Sequence, residues 1–200
     1  MRIISGRFGG RTVRTVEGPG YRPATSKVRQ SIFSMLESRG LTWDGLRAID
    51  MFAGSGSLGI ECLSRGAEVA WFVEMNARAA RTIGENLAAL GVERGQYRVL
   101  AKDLLGVLAR PAEEPFGLAF IDPPYGKGLF EPALGKALAG GWVAPDGFVL
   151  AEVEAAVAAP EPEKLPGLEL LTDRLYGQTR ILLWTNSTRV SPSTPAPSTR

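Results

Sequence analysis

The chain has 200 residues, 44% of them hydrophobic, and a formal net charge of +2; this length and composition suit one globular domain with a sizeable core. It contains no histidine and a single cysteine, Cys62. These counts exclude a Ser-His-Asp triad, an imidazole general base, a His-ligated metal, an internal disulfide and a thiolate zinc cluster. They also favour a reducing, intracellular setting.

Residues 1–20 alternate short β-forming stretches with arginine, which predicts a basic β-hairpin that ends at Gly18-Pro19-Gly20. Over residues 1–30, seven arginines and lysines stand against one acid, Glu17, so the rest of the chain is mildly acidic. A basic N-terminal region followed by a mildly acidic remainder suits an enzyme with a polyanionic substrate. A solvated basic hairpin without such a role explains the same pattern equally well.

A helix is predicted next, because "TSKVRQSIFSMLESRG" carries apolar residues at helical spacing. Thr25 or Ser26 offers the N-cap and Gly40 the stop. From residue 46 the pattern changes to an alternation of helical stretches with apolar runs, which are "LRAIDMFA", "EVAWFVE", "YRVLAKD", "LAFIDPPY" and "GFVLAEVE". Runs buried on both faces and separated by helices predict an α/β fold with a mostly parallel, doubly wound sheet.

The C-terminal part of the chain shows a different pattern. The stretches "LELLTDRLYG" and "QTRILLWTN" follow each other around a glycine with no helix between them, which predicts a C-terminal antiparallel hairpin. The Ser/Thr/Pro-rich residues 187–200 are predicted to be a disordered tail. The N-terminus lacks the apolar core of a signal peptide, and no apolar stretch is long enough to cross a bilayer. We therefore expect a soluble, cytoplasmic protein, and the absence of an evident dimer motif favours a monomer.

A glycine-rich loop follows the first predicted strand. The stretch "IDMFAGSGSLG" places Gly54, Gly56 and Gly59 in a G-x-G-x-x-G arrangement between a strand and a helix. Glu74 ends the next strand, 20 residues after Gly54. This spacing predicts an adenosine-cofactor site, with glycines for close approach and an acid for the ribose hydroxyls. A tight strand-to-helix turn without a ligand is the alternative.

The acids near this loop bear on which cofactor binds, NAD or S-adenosylmethionine. Asp50 lies four positions before Gly54, where it would repel the pyrophosphate of a dinucleotide but attract the cations of S-adenosylmethionine. Asp103 ends the third strand, where it could accept a hydrogen bond from the adenine amine, cap the following helix, or do both. Together these acids favour S-adenosylmethionine.

The stretch "AFIDPPY" ends the fourth predicted strand in an acid, two prolines and an aromatic. An exocyclic amine of a nucleobase attacks poorly because its lone pair is delocalised into the ring. The Asp122 carboxylate and the Pro123 carbonyl could accept its two N–H groups and direct the lone pair at a methyl group. Pro124 stiffens the backbone, and Tyr125 could stack on the base. A strand-ending turn with a surface tyrosine is the alternative.

At these residues the chain resembles the class I S-adenosylmethionine-dependent methyltransferases that act on exocyclic amines. More narrowly it resembles the RsmD family, whose members methylate guanine N2 in bacterial 16S ribosomal RNA. The resemblance extends from residue 1 to about 185 and is carried by "MRIISGRFGGR", "RPATSKVRQSIFSML", "FVEMNARAARTIGENL", "FIDPPYGKGLF" and "YGQTRILLW". The family pattern "RPTTDRVRE" differs here at two positions, where Ala24 replaces a threonine and Ser26 an aspartate.

The resemblance implies a Rossmann-like methyltransferase domain at 41–186, preceded by an RNA-binding extension at 1–40. The substrate it implies is 16S ribosomal RNA within a small-subunit particle or assembly intermediate. Methylation of adenine N6, cytosine N4 or a protein glutamine remains open, as does a non-catalytic role in ribosome assembly. The implied cofactor site comprises Asp50, Gly54, Ser55, Gly56, Glu74 and Asp103, the catalytic site Asp122, Pro123, Pro124 and Tyr125, and the RNA contacts Arg2, Arg7, Arg11, Arg14 and Arg22.

Overall fold

The computed structural model describes residues 1–16 and 26–187. The turn expected at Gly18-Pro19-Gly20, the candidate residues Arg22 and Thr25, and all of the expected tail except Ser187 lie outside these ranges. No helix in the described ranges is long and apolar enough to cross a membrane.

Five α-helices and seven β-strands make up the described fold. The helices are α1 (Ser26–Ser38), α2 (Ser57–Arg65), α3 (Ala77–Leu90), α4 (Leu104–Val107) and α5 (Phe130–Ala139). The strands are β1 (Arg47–Asp50), β2 (Val69–Val73), β3 (Tyr97–Leu100), β4 (Phe116–Ile121), β5 (Val143–Glu154), β6 (Leu168–Tyr176) and β7 (Thr179–Asn186). Short 3₁₀ turns cover Arg94–Gln96 and Pro162–Lys164.

All seven strands belong to one sheet with the order β3-β2-β1-β4-β5-β7-β6. Strands β1 to β5 are parallel, whereas β7 pairs antiparallel with both β5 and β6. The predicted α/β fold with a C-terminal antiparallel hairpin is therefore confirmed. The hairpin turns at Gly177, whose φ of 63° is a conformation that glycine adopts without strain.

Hydrophobic side chains cover both faces of the sheet, because alternate residues of a strand point to opposite sides. One face packs against α1, α2 and α3; its strand residues include Ala48, Phe72, Phe120 and Leu150. The other face packs against α4 and α5. Because strands β1 to β5 are parallel, they all start at one end of the sheet and finish at the other, which we call the carboxyl end.

Local sequence signals account for the limits of α3. The Asn76 side chain accepts hydrogen bonds from the backbone N–H groups of Arg78 and Ala79, which fixes the start of the helix. Gly91, with a φ of 76°, ends it in the left-handed conformation.

The first sixteen residues, here called the N-terminal segment, form a short antiparallel pair, as the sequence predicts. Arg2 and Thr12 form a bridge, Met1 and Val13 exchange backbone hydrogen bonds, and Ile3 donates to the carbonyl of Arg11. The stretch between the two arms is bound to α2: Glu61 accepts the N–H groups of Ile4 and Ser5, and Ser64 accepts that of Phe8.

The N-terminal segment also shares a hydrophobic cluster with α2 and α3. Ile3, Phe8 and Val13 are buried against residues of α2 and α3 such as Ile60 and Ile83. The predicted boundary at residue 40 therefore does not separate two hydrophobic cores in the described ranges.

Candidate active site

Most of the predicted site residues lie at the carboxyl end of the sheet. Asp50 ends β1, Glu74 follows β2, Asp103 follows β3, and residues 122–125 follow β4. Parallel strands bring these positions together although they are far apart in sequence. In open α/β sheets, ligands bind outside this end of the strands.

The glycine loop has the backbone shape that its sequence predicts. Gly54 and Gly56 have φ values of 53° and 75°, a region that side chains disfavour. A Cβ on Gly56 would come within 3.0 Å of Ile83, and one on Gly59 within 2.3 Å of the Phe72 ring. Glycine therefore lets the loop turn sharply and lets α2 pack closely on β2.

The acid expected to hold the ribose already supports the glycine loop. One Glu74 oxygen accepts the N–H of Gly54 at 2.7 Å, and the other accepts the N–H of Asn76 at 2.7 Å. The 20-residue spacing between Gly54 and Glu74 thus corresponds to a direct hydrogen bond between them. Met75 follows it with 75% of its surface exposed, an apolar side chain beside the loop that the sequence analysis did not single out.

Asp103 acts as a helix cap in the structure. Its Oδ2 accepts the N–H of Gly106 at 2.8 Å at the start of α4. The residue is exposed, so its second oxygen is not enclosed by the protein.

Asp50 is almost completely buried, with 2% of its surface exposed. Its Oδ2 accepts the N–H of Gly59 at 3.2 Å. Burial raises its pKa to about 7, an effect that the Gly59 hydrogen bond opposes and the charge of Glu74 reinforces.

The four residues after β4 combine a half-buried acid with an accessible ring. Burial and the charges of Glu152 and Asp50 raise the pKa of Asp122 well above its ordinary value. Pro123 is buried, whereas Pro124 is exposed. Tyr125 is 42% exposed, and its hydroxyl shares a hydrogen bond of 2.9 Å with Thr179 at the start of β7.

Two acids at the end of β5 were missed by the sequence analysis. Glu152 is buried, with 6% of its surface exposed, and Glu154 accepts the N–H of Gly126 in the loop after Tyr125. The signal that could have found them is an apolar run, "GFVLAEVE", that ends in acids just as "LAFID" does.

The predicted RNA-contacting arginines lie elsewhere. Arg7 bonds to Gln96, and Arg11 donates to the carbonyls of Ala89 and Leu90, which end α3. Because α2 and α3 return the chain from the carboxyl end to the start of the next parallel strand, both side chains lie at the opposite end of the sheet. Arg14 pairs with Glu85 at 3.0 Å. Arg2 is exposed, and its backbone carbonyl accepts from Arg29.

The site suits S-adenosylmethionine better than a dinucleotide. Asp50, Asp122 and Glu152 lie at or just after the ends of β1, β4 and β5, and the charges of Asp50 and Glu152 act on Asp122. This concentration of acids would repel a pyrophosphate and attract a sulfonium. Within residues 1–16 and 26–187, no group of three or more acids and cysteine is arranged to hold a metal ion.

Comparison with known proteins places the chain among methyltransferases. A family model described as conserved hypothetical protein 95 matches residues 1–185. YlbH of Bacillus subtilis, provisionally named an rRNA methyltransferase, is 37% identical over 186 residues, which cover 92% of this chain and 98% of that protein. Ribosomal RNA small subunit methyltransferase D of Escherichia coli is 34% identical over 160 residues, which cover 80% of this chain and 78% of that protein.

The fold is also similar to a solved structure of a close relative. The provisionally named methyltransferase yhhF of Escherichia coli superposes with a TM-score of 0.81 at 31% identity. The match covers 94% of this chain and 99% of that one.

Proposed function

The chain belongs to the family of conserved hypothetical protein 95, which includes small-subunit ribosomal RNA methyltransferase D, and we propose that it methylates guanine N2 in 16S ribosomal RNA. The methyl donor is S-adenosylmethionine. The observation that carries the proposal is the meeting of the Asp-Pro-Pro-Tyr stretch with the glycine loop and its acids at one end of the sheet.

Residues that follow β1, β2 and β3 would hold the cofactor. The loop of Gly54, Ser55 and Gly56 would approach its methionine part, and Glu74 would accept hydrogen bonds from the ribose hydroxyls. Asp103 would accept a hydrogen bond from the adenine amine. The bound cofactor supplies a methyl group on a positively charged sulfur, a good leaving group that needs no further activation.

The protein's task is then to prepare the amine. The Asp122 carboxylate and the Pro123 carbonyl accept the two N–H groups of guanine N2, so the nitrogen becomes more tetrahedral and its lone pair faces the methyl group. After transfer, the amine loses one N–H proton. The raised proton affinity of Asp122 makes its carboxylate a suitable acceptor.

Tyr125 completes the target site by stacking on the base. Its ring is accessible, and its hydroxyl is anchored to Thr179. Stacking on an aromatic ring is worth about 1–3 kcal/mol per base and holds a base that has left its helix.

The ribosomal RNA is methylated within a small-subunit particle or assembly intermediate. Its proposed phosphate contacts are Arg2, Arg7, Arg11, Arg14 and Arg22. The exposed positions of the first four support this role. Since Arg7 and Arg11 lie at the end of the sheet opposite the target site, such contacts would act as a second anchor rather than beside the methylated base.

Replacement of Asp122 tests the proposed chemistry. Asp122→Ala should abolish methyl transfer to small subunits, a loss of at least about 100-fold, because the amine loses one of its two acceptors. Affinity for S-adenosylhomocysteine, measured by calorimetry, should stay within about twofold. Asp44→Ala, an exposed acid ahead of β1 at the opposite end of the sheet, is the matched control. Unchanged turnover in Asp122→Ala would contradict the assigned role.

A further inference from the structure

Glu152 stands next to Asp122 on the neighbouring strand. In the register of β4 with β5, Phe120 pairs with Leu150 and Ile121 with Ala151, so Asp122 and Glu152 are the next pair. Paired residues of adjacent strands lie about 5 Å apart and point to the same face. The two carboxyl groups are therefore side by side.

Asp50 belongs to the same group. It pairs with Phe120 across β1 and β4, so its side chain points to the face shared by Phe120 and, two residues further on, Asp122. Three adjacent strands thus place one acid each on one face at the carboxyl end of the sheet. We call Asp50, Asp122 and Glu152 the acid cluster.

The cluster is poorly solvated and incompletely satisfied. Asp50 and Glu152 are 2% and 6% exposed, respectively. Glu152 Oε2 is buried without a hydrogen-bond partner among the described residues. Buried polar atoms normally have partners, and a buried oxygen that lacks one calls for a ligand that completes it.

The described part of the chain supplies no neutralising cation. None of the ion pairs found there includes a cluster member. Burial raises the pKa of Tyr125, which lies close enough to Glu152 and Glu154 for their charges to raise it further. Arg180 of β7 pairs with Val153 in the sheet, and its guanidinium is held by Asp173. Burial raises the pKa of Glu152, like that of Asp50, to about 7.

We propose that the acid cluster attracts the positive charge on the cofactor's sulfur, and that Glu152 is a specificity-determining residue for S-adenosylmethionine over S-adenosylhomocysteine. The inference rests on the proposed function. The two ligands differ by the methyl group and its positive charge, and carboxylates held in a poorly solvated site attract that charge more strongly than they would in water. The product, whose sulfur is neutral, loses this attraction and is released more easily.

This arrangement couples cofactor binding to proton release. Without a ligand, the crowded acids retain protons at neutral pH; a bound cation favours their ionised forms and expels a proton. The affinity for S-adenosylmethionine should therefore rise with pH up to the pKa of about 7 and then level off. The affinity for S-adenosylhomocysteine should change much less over the same range.

Calorimetry without RNA provides the test. Wild-type chain is titrated with S-adenosylmethionine, with S-adenosylhomocysteine, and with sinefungin, a non-transferable analogue that carries an amine in place of the methyl sulfonium. Each titration is run at about pH 6 and pH 8 in two buffers of different ionisation enthalpy, which counts the protons released. We expect release with the two cationic ligands and little with the product.

Glu152→Gln supplies the residue-specific arm, and Glu169→Gln, an exposed site on β6, is its matched control. At pH 8 the variant should bind S-adenosylmethionine about tenfold more weakly and S-adenosylhomocysteine within about twofold of wild type. An unchanged preference between the two ligands, or equal proton release with both in the wild-type chain, would overturn the inference while leaving the proposed function intact. Failure of both ligands to bind the wild-type chain would overturn the proposed function itself.

Discussion

Glu152, to which we assign a role in cofactor binding, also affects the stability of the fold. Burial raises its pKa from 4.5 to about 7, so the folded chain holds a proton that the unfolded chain has released over this range. Because the folded state binds more protons, the free energy of unfolding falls as the pH rises from about 4.5 to about 7. Glu152, whose proposed role is to attract a cation, therefore lowers the stability of the cofactor-free fold at neutral pH.

Glu152→Gln should remove this pH-dependent loss, because glutamine does not titrate. Without cofactor, the stability of the variant relative to wild type should improve by about 1–3 kcal/mol between pH 5 and pH 8. The free energy of unfolding in urea, measured at both pH values, checks this, with Glu169→Gln as the control. The same wild-type-to-variant difference at pH 5 and pH 8 would show that Glu152 does not titrate in this range.

At the residue scale, the sequence predicts positions well where spacing has a direct geometric meaning. The 20 residues between Gly54 and Glu74 correspond to a hydrogen bond of 2.7 Å. Glu152 was missed because its importance depends on the register of β4 with β5. That register is set by packing across the whole sheet, and "GFVLAEVE" alone does not reveal which neighbour its acids meet.

At the scale of elements, the N-terminal segment depends on its close approach to α2. A Cβ on Gly6 would lie 1.9 Å from the Ser64 carbonyl oxygen, and the φ of Gly6 is 79°. Gly10 has a similar φ of 83°, but its nearest neighbour is the Arg2 side chain at 3.5 Å. The two glycines therefore share a backbone conformation that other residues disfavour, and they differ in the space available for a Cβ.

Gly6→Ala should destabilise the fold by about 1–3 kcal/mol more than Gly10→Ala, because only the first forces the segment away from α2. Urea unfolding of the two variants measures the difference. Equal costs would mean that the segment separates from α2 without loss, contrary to the shared cluster of Ile3, Phe8 and Val13.

The expected hairpin at residues 1–20 illustrates where element prediction stops. The alternation of arginine with β-forming residues predicts the antiparallel hydrogen bonds between residues 1–3 and 10–13. It does not predict that the stretch between them bonds to α2, because the buried acceptors Glu61 and Ser64 lie far along the chain. By contrast, the two residues that cap α3, Asn76 and Gly91, are local signals, and the helix begins and ends at them.

At the scale of the whole molecule, the alternation of apolar runs and helical stretches predicted the sheet class and its antiparallel end. This alternation does not predict the strand order, because the order depends on which face of the sheet each helix covers. That order brings Asp50, Asp122 and Glu152 together at or just after the carboxyl ends of strands β1, β4 and β5. The central proposal, that this end of the sheet holds a guanine amine against a methyl donor, depends on this assembly of the three acids.

The most direct test is to follow the methyl group to its destination. Small ribosomal subunits from a strain lacking this gene would be incubated with the chain and isotope-labelled S-adenosylmethionine, and the 16S RNA digested to nucleosides for mass spectrometry. The account predicts label in N2-methylguanosine. Label in N6-methyladenosine or N4-methylcytidine instead, or no transfer to the RNA at all, would contradict it.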